Sequence, residues 1–176
     1  KNMGGYLGFN KSWGYSHILV SSFAQNVGMI EGERDAATGH FLIYPGTIAE
    51  RAATGQDLTS SDFLFPGQKI NHFKIASDNN IALSKGRIAF NLAYQRNQRK
   101  EFADYLLPTT PALYFDLSTI NYTLQYHAPE KNGWKTSIGL NGMQQENKNK
   151  ADEVLIPAYK QFDAGVFYYT KKTFAQ

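Results

Sequence analysis

Four histidines, fifteen carboxylates and eighteen cations are the groups with which this chain could do chemistry, and it has no cysteine. The absence of cysteine excludes disulfides and thiolate metal sites but selects no cellular compartment. His17, His72 and His127 each stand alone in stretches that read as strand, without a second ligand at metal-binding spacing. We therefore expect no metal and no cofactor. In "MIEGERDAATGH", Glu31, Glu33 and Asp35 could offer oxygen ligands to calcium, but the Asp/Asn-rich loop pattern is missing and a solvated loop is the simpler reading. The same stretch contains "GERDAATG", whose glycines are not followed by Lys-Ser/Thr, so no phosphate cradle is expected. No G-x-S-x-G or His-Glu-x-x-His occurs, and no acid, base and nucleophile set emerges, so the chain does not read as an enzyme. The sequons at Asn10 and Asn121 match N-glycosylation by composition alone. The net charge of +3 is scattered rather than gathered into a basic stripe, which argues against nucleic acid.

The remaining candidates are recognition residues in two long connections. The first carries His40, Tyr44, Arg51 and Asp57, with "FLFPGQ" at 63–68 expected to pack it down; the second carries Tyr105 and the stiff "LPTTPAL". Aromatic and charged groups together suit an anionic iron chelate or a sugar, and loops are where recognition usually resides. The plainer alternative is that they solvate and brace the loop.

The elements that must position these loops read almost entirely as strands. In "GRIAFNLAYQRNQRKEF", Ile88, Phe90, Leu92 and Tyr94 alternate with Arg87, Ala89, Asn91, Ala93 and Gln95. Similar alternation places Ile120, Tyr122, Leu124 and Tyr126 on one face, as it does Trp134, Thr136, Ile138 and Leu140. It does the same for Phe162, Ala164, Val166 and Tyr168. Weaker rows are Trp13, Tyr15, Leu19 and Phe23, and Phe73, Ile75, Ile81 and Leu83. With a stub around Tyr6 to Phe9, about seven antiparallel strands are expected. Leu113, Phe115 and Leu117 fall on the opposite parity to Ile120, which predicts a bulge near Ser118 or a loop end.

The expected connections alternate short and long: 10–12, about 28–68, 84–86, about 98–112, 129–133 and about 147–159. In an up-and-down sheet this gathers the tight turns at one end and the long loops at the other, as in outer-membrane barrels. The twelve-residue run 86–97 suffices to cross an apolar band when tilted. Trp13 and Trp134 directly follow tight turns, and Tyr126 and Tyr168 come near the same end, so all four are expected in an aromatic girdle. Tyr94 shares the lipid-facing side. Asn91, Gln95, Asn121, Gln125, Asn141 and Gln145, interleaved with Ala93 and Gly139, would make a poor dry core and a good wet lumen. No apolar run is long enough for a transmembrane helix, and "KNMGGYLGFN" already reads as strand, so the sequence looks like an excerpt.

The run "GQKINHFKIASDNNIALSKGRIAFNLAYQRNQRKEF" and the later "EVLIPAYKQFDAGVF" resemble the middle barrel strands of TonB-dependent outer-membrane receptors of the Bacteroidota type. The resemblance extends more loosely over residues 1–176. It implies part of an all-β, antiparallel up-and-down transmembrane β-barrel, importing a scarce nutrient such as a ferric siderophore, haem, cobalamin or a glycan. It also implies outer-membrane lipid as a partner, TonB acting through a plug, and a capping lipoprotein. Neither plug nor TonB box is among these residues. A different class, a soluble secreted β-sandwich or small barrel binding carbohydrate or lipid, would turn the apolar faces inward. An outer-membrane barrel enzyme is a third class, and it lacks a catalytic set.

Overall fold

A computed structural model describes residues 1–29, 33–61 and 66–174. The chain is all-β: seven long strands form one antiparallel meander, β1 (Asn2–Lys11), β2 (Gly14–Gly28), β5 (Gly67–Ala82), β6 (Arg87–Phe102), β7 (Leu113–His127), β8 (Trp134–Asn149) and β9 (Tyr159–Lys172). The first long connection holds the two-residue strands β3 (Leu42–Ile43) and β4 (Arg51–Ala52) and the short helix α1 (Gly55–Thr59). Sequential strands pair throughout, and the sheet does not close: β1 and β9 are its edges.

The short connections are residues 12–13, 83–86 and 128–133, all at one end. The last narrows to an Asn-Gly turn in which Lys131 and Trp134 exchange both backbone hydrogen bonds. Asn132 and Gly133 have φ of 52° and 75°, the left-handed pair of a type I′ turn, whose twist matches that of the strands it joins. At the neighbouring turn Gly86 has φ 92°, and a Cβ there would lie 2.3 Å from the His127 carbonyl oxygen. Strands run further toward the long loops than the polarity of the sequence indicates. "QRNQRKEF" remains strand to Phe102, so the second long connection is only 103–112, and β1 is a ten-residue strand rather than a stub.

Cross-strand register sorts the side chains into two faces. On the first lie Ile75 and Ile81 of β5, Ile88 to Tyr94 of β6, Ile120 to Tyr126 of β7, Ile138 and Leu140 of β8, and Phe162, Val166 and Tyr168 of β9. The second carries Asn91, Ala93, Gln95, Asn121, Gln125, Gly139, Asn141 and Gln145, the polar row expected from the sequence. In β2, Ile18 and Val20 continue the apolar face, whereas Tyr15, Leu19 and Phe23 pair with Asn80, Ala76 and His72 on the polar one. The expected row of Trp13, Tyr15, Leu19 and Phe23 is thus on the other side of the sheet. The cause is the sequence of β2, where both parities contain apolar residues and alternation cannot choose between them.

The expected bulge near Ser118 is absent. Pairing between β6 and β7 is continuous from Glu101↔Leu113 to Arg87↔His127. Leu113, Phe115 and Leu117 therefore stand on the polar face at its loop end. Among the described residues the buried hydrophobics are Phe102 and Leu113, at the strand ends that carry the second long connection, and Ala53, within the first long connection. The middle of the sheet has no such core: Leu92, Leu124, Leu140 and Val166 are exposed, Val166 by 82 %.

Candidate functional site at the long-loop end

Three long connections meet above the sheet. The first is braced from within. Thr54 caps α1 in a capping box with Asp57, whose carboxylate accepts from the Thr54 amide at 2.8 Å and the Thr54 hydroxyl at 2.6 Å. Arg51 grips the same carboxylate with both terminal nitrogens, at 2.7 and 2.6 Å. These hydrogen bonds, Arg51 first, hold Asp57 well below the usual carboxylate range, and Asp57 in turn raises Arg51. Arg51, expected as a ligand-binding candidate, is committed to tying β4 to α1.

Tyr44 joins this connection to the next. Its ring meets that of Tyr105 edge-on, with centroids 5.9 Å apart, a geometry favoured by the ring quadrupoles. Tyr44 itself has φ 54°, held by Thr47, whose hydroxyl donates to the Tyr44 carbonyl at 2.8 Å. The third connection is stitched by backbone to the end of the second and the start of β7: the Glu153 amide donates to the Ala112 carbonyl at 3.1 Å, and the Lys150 amide to the Tyr114 carbonyl at 2.9 Å. His40 lies exposed in a separate turn closed by Asp35, whose amide donates to the His40 carbonyl at 2.9 Å. Thr38 occupies the Asp35 carboxylate through its hydroxyl and amide, lowering its pKa, so that group braces a turn. Of the expected calcium trio, Glu31 lies outside the described residues, as do 63–65 of "FLFPGQ". Pro66 is buried and accepts from the Met29 amide at 2.7 Å.

The histidines in strands have ordinary neighbours. His127 Nδ1 is 2.8 Å from the Ser137 hydroxyl, His72 Nδ1 is 3.1 Å from Asn97, and His17 stacks on Tyr15 at 4.6 Å.

Tyr94, Tyr126, Trp134 and Tyr168 share the apolar face by register. Tyr126 donates its hydroxyl to the Lys85 carbonyl at 2.9 Å, fixing it at the tight-turn end. Trp13 sits in the 12–13 turn, and its carbonyl accepts from the Ala82 amide at 2.7 Å, which aligns it with the polar-face row of Ala82 and Arg87.

One cluster was not anticipated from the sequence. Past Tyr94 and Ile120, on the same face as the apolar rows, Arg96 binds Asp116 through Nε and Nη2, both at 2.7 Å. Lys150 joins Asp116 from beyond β8. Gln98 donates to the Tyr114 hydroxyl at 2.8 Å, and Lys100 lies over the Tyr114 ring at 4.6 Å. The parity of Arg96, Gln98 and Lys100 with Tyr94 was the available signal. It was obscured because the charged run read as chain leaving the sheet. Comparison of the chain with family models, with curated proteins and with solved structures returns no match.

Proposed function

We propose that this chain forms wall and extracellular loops of an outer-membrane β-barrel transporter of the TonB-dependent kind, taking up a scarce nutrient such as a ferric chelate or a glycan. In this reading the apolar face meets lipid, the amide-rich face lines the lumen, and TonB acts through a plug that is not among these residues. The linked loops receive the ligand, with Tyr44 and Tyr105 as their aromatic contacts, and a lipoprotein caps them.

The observation that carries the reading is the joint arrangement of turns and polarity. All tight turns lie at one end and all long connections at the other. One face has an apolar band that ends at a charged row. Along β8, Trp134 is ten residues from Gln144, the last position before charged Glu146. At about 3.4 Å per residue and a tilt of about 40°, those residues span about 26 Å, close to the roughly 25 Å apolar belt of such barrels. Residues exposed on both faces of a sheet without a core fit a wall between lipid and water.

The test uses single cysteines, which have no competing thiol in this sequence. Spin labels at 123 and 124, in the polypeptide as extracted from its membrane and returned to lipid vesicles, are exposed to oxygen and to a water-soluble nickel chelate. Position 124 should collide with oxygen and position 123 with nickel. A label at 124 shielded from both would mean a dry protein core and would end the proposal.

A further inference from the structure

The face proposed to meet lipid changes character abruptly at the loop end. Beyond the row Ile75–Tyr94–Ile120, register and contacts place Lys69, Arg96, Lys100, Lys148, Lys150 and Lys160 on that face, against the carboxylates of Asp116 and Glu146. Each carboxylate holds two cations. Asp116, only 6 % exposed, takes Arg96 and Lys150; Glu146 takes Lys148 at 3.5 Å and Lys160 at 3.4 Å. Both groups retain excess positive charge, and their cations are 40 to 81 % exposed. Lys100 and Lys150 both approach the Tyr114 ring, at 4.6 and 5.4 Å.

Beside this cluster is a depression of about 370 Å³ lined by Asn71 and Gln98 toward the loops, by Arg96, Phe73 and Ser22 on one rung with His72 beside them, and by Tyr94 toward the apolar band. Its polarity changes along the strand direction, as that of a membrane lipid does. We infer that this site binds the phosphate of an anionic membrane lipid, with Arg96 and its neighbouring cations on the phosphate and the acyl chain lying over Phe73 and Tyr94. The inference rests on the lipid-facing assignment above. Charge complementarity selects the occupant: a carboxylate-anchored set of cations bordering hydrocarbon matches a phosphate tethered to chains better than a free anion, which gains nothing from Phe73.

The experiment is native mass spectrometry of the detergent-extracted, delipidated polypeptide, titrated with phosphatidic acid and, separately, with diacylglycerol, which lacks the phosphate. Inorganic phosphate serves as competitor. We expect retention of phosphatidic acid over diacylglycerol, unaffected by millimolar inorganic phosphate. Lys69→Gln with Lys100→Gln should weaken it about thirtyfold, because the two lysines on the rung above Asn71 and Gln98, at the loop side of the depression, become neutral. Removing Arg96 alone would leave the buried Asp116 carboxylate with only Lys150, so the second variant pairs Arg96→Gln with Asp116→Asn; it should lose the preference as well. Equal retention of the two lipids, unchanged binding in the lysine variant, or displacement by inorganic phosphate would each overturn the site while leaving the barrel reading standing. Extraction of the wild type without detergent would overturn both.

Discussion

Leu92 lies near the middle of the apolar face, 43 % exposed, paired with Ser77 on β5 and Tyr122 on β7. Apolar Ile88 and Phe90 precede it on that face, and Tyr94 and then Arg96 follow. If that face meets hydrocarbon, Leu92→Arg places a cation close to the bilayer midplane, at a cost of about 2–4 kcal/mol. That is a loss of roughly thirtyfold to eight-hundredfold in the folded-to-unfolded ratio. The cost should fall with depth. Tyr94→Arg should cost about 1 kcal/mol, because Arg96 already marks where the wild type tolerates a guanidinium. Asn91→Arg, one residue away on the polar face and opposite Asp78, should change stability by less than about 0.5 kcal/mol. The assay is reversible guanidinium unfolding in phosphatidylcholine vesicles, followed by the emission of Trp134 and Trp13. Equal costs at 91 and 92 would refute the assignment of faces. A cost at 94 as large as at 92 would refute lipid in favour of a protein core, because a core penalises charge by burial and not by height.

Three further outcomes follow from local geometry. Gly133→Ala should destabilise the β7–β8 hairpin by at least about 1 kcal/mol, because φ is 75° and the new Cβ would sit 2.6 Å from the Thr173 carbonyl oxygen; thermal unfolding measures it. Tyr44→Ala and Tyr105→Ala should be coupled by about 0.5–1.5 kcal/mol in a double-mutant cycle on proteolytic opening of the loops, and a coupling of zero would mean the rings touch without holding them. The Arg51–Asp57 brace should be acid-resistant. A carboxylate with a depressed folded pKa contributes fully above its unfolded value, near 4, and loses that contribution as pH falls through the lower folded value. Amide protection in 51–59, with exchange corrected for its intrinsic pH dependence, should therefore stay constant down to about pH 4 and fall below it, and a fall centred near pH 6 would contradict the pairing.

The number, direction and order of the long strands were legible because four of them alternate cleanly, and short and long connections take turns. Polarity within a strand was a poorer guide to where it ends. Arg96, Gln98 and Lys100 are as charged as a loop, yet each is paired, because a ladder needs only backbone groups and the neighbouring strand supplies them. In β2 the pattern failed for the opposite reason: Leu19 and Ile18 are both apolar, and only pairing with β5 assigns them to faces. Tyr44 and Tyr105 were legible as loop residues. Their meeting was not, because sixty residues and the two long strands β5 and β6 separate them and nothing local records the contact.

The parity change at Ser118 ties the two faces together. On β7 the apolar residues shift from Ile120, Tyr122 and Leu124 to Leu113, Phe115 and Leu117 without a bulge, so the strand inverts its polarity while its backbone runs straight. Along the same rows β6 exchanges Tyr94 for Arg96, and β8 exchanges Leu140 for Glu146 across two intermediate positions. Below the change, one face is apolar and the other carries amides. Above it, the formerly apolar face carries cations, while Leu113 on the other reaches 2 % exposure beneath the loops. A sheet packed in a soluble sandwich buries one face along its whole length, and an inversion at a common height in adjacent strands would break that core in two. A wall that leaves hydrocarbon and then supports a loop cluster calls for that inversion. Leu117→Lys, just above the change, should accordingly loosen the loops without affecting retention of the chain by lipid, whereas Ile120→Lys, just below it, should do the reverse. Protease sensitivity and vesicle flotation measure the two effects, and the same response from both variants would show that the change of polarity does not coincide with a membrane boundary.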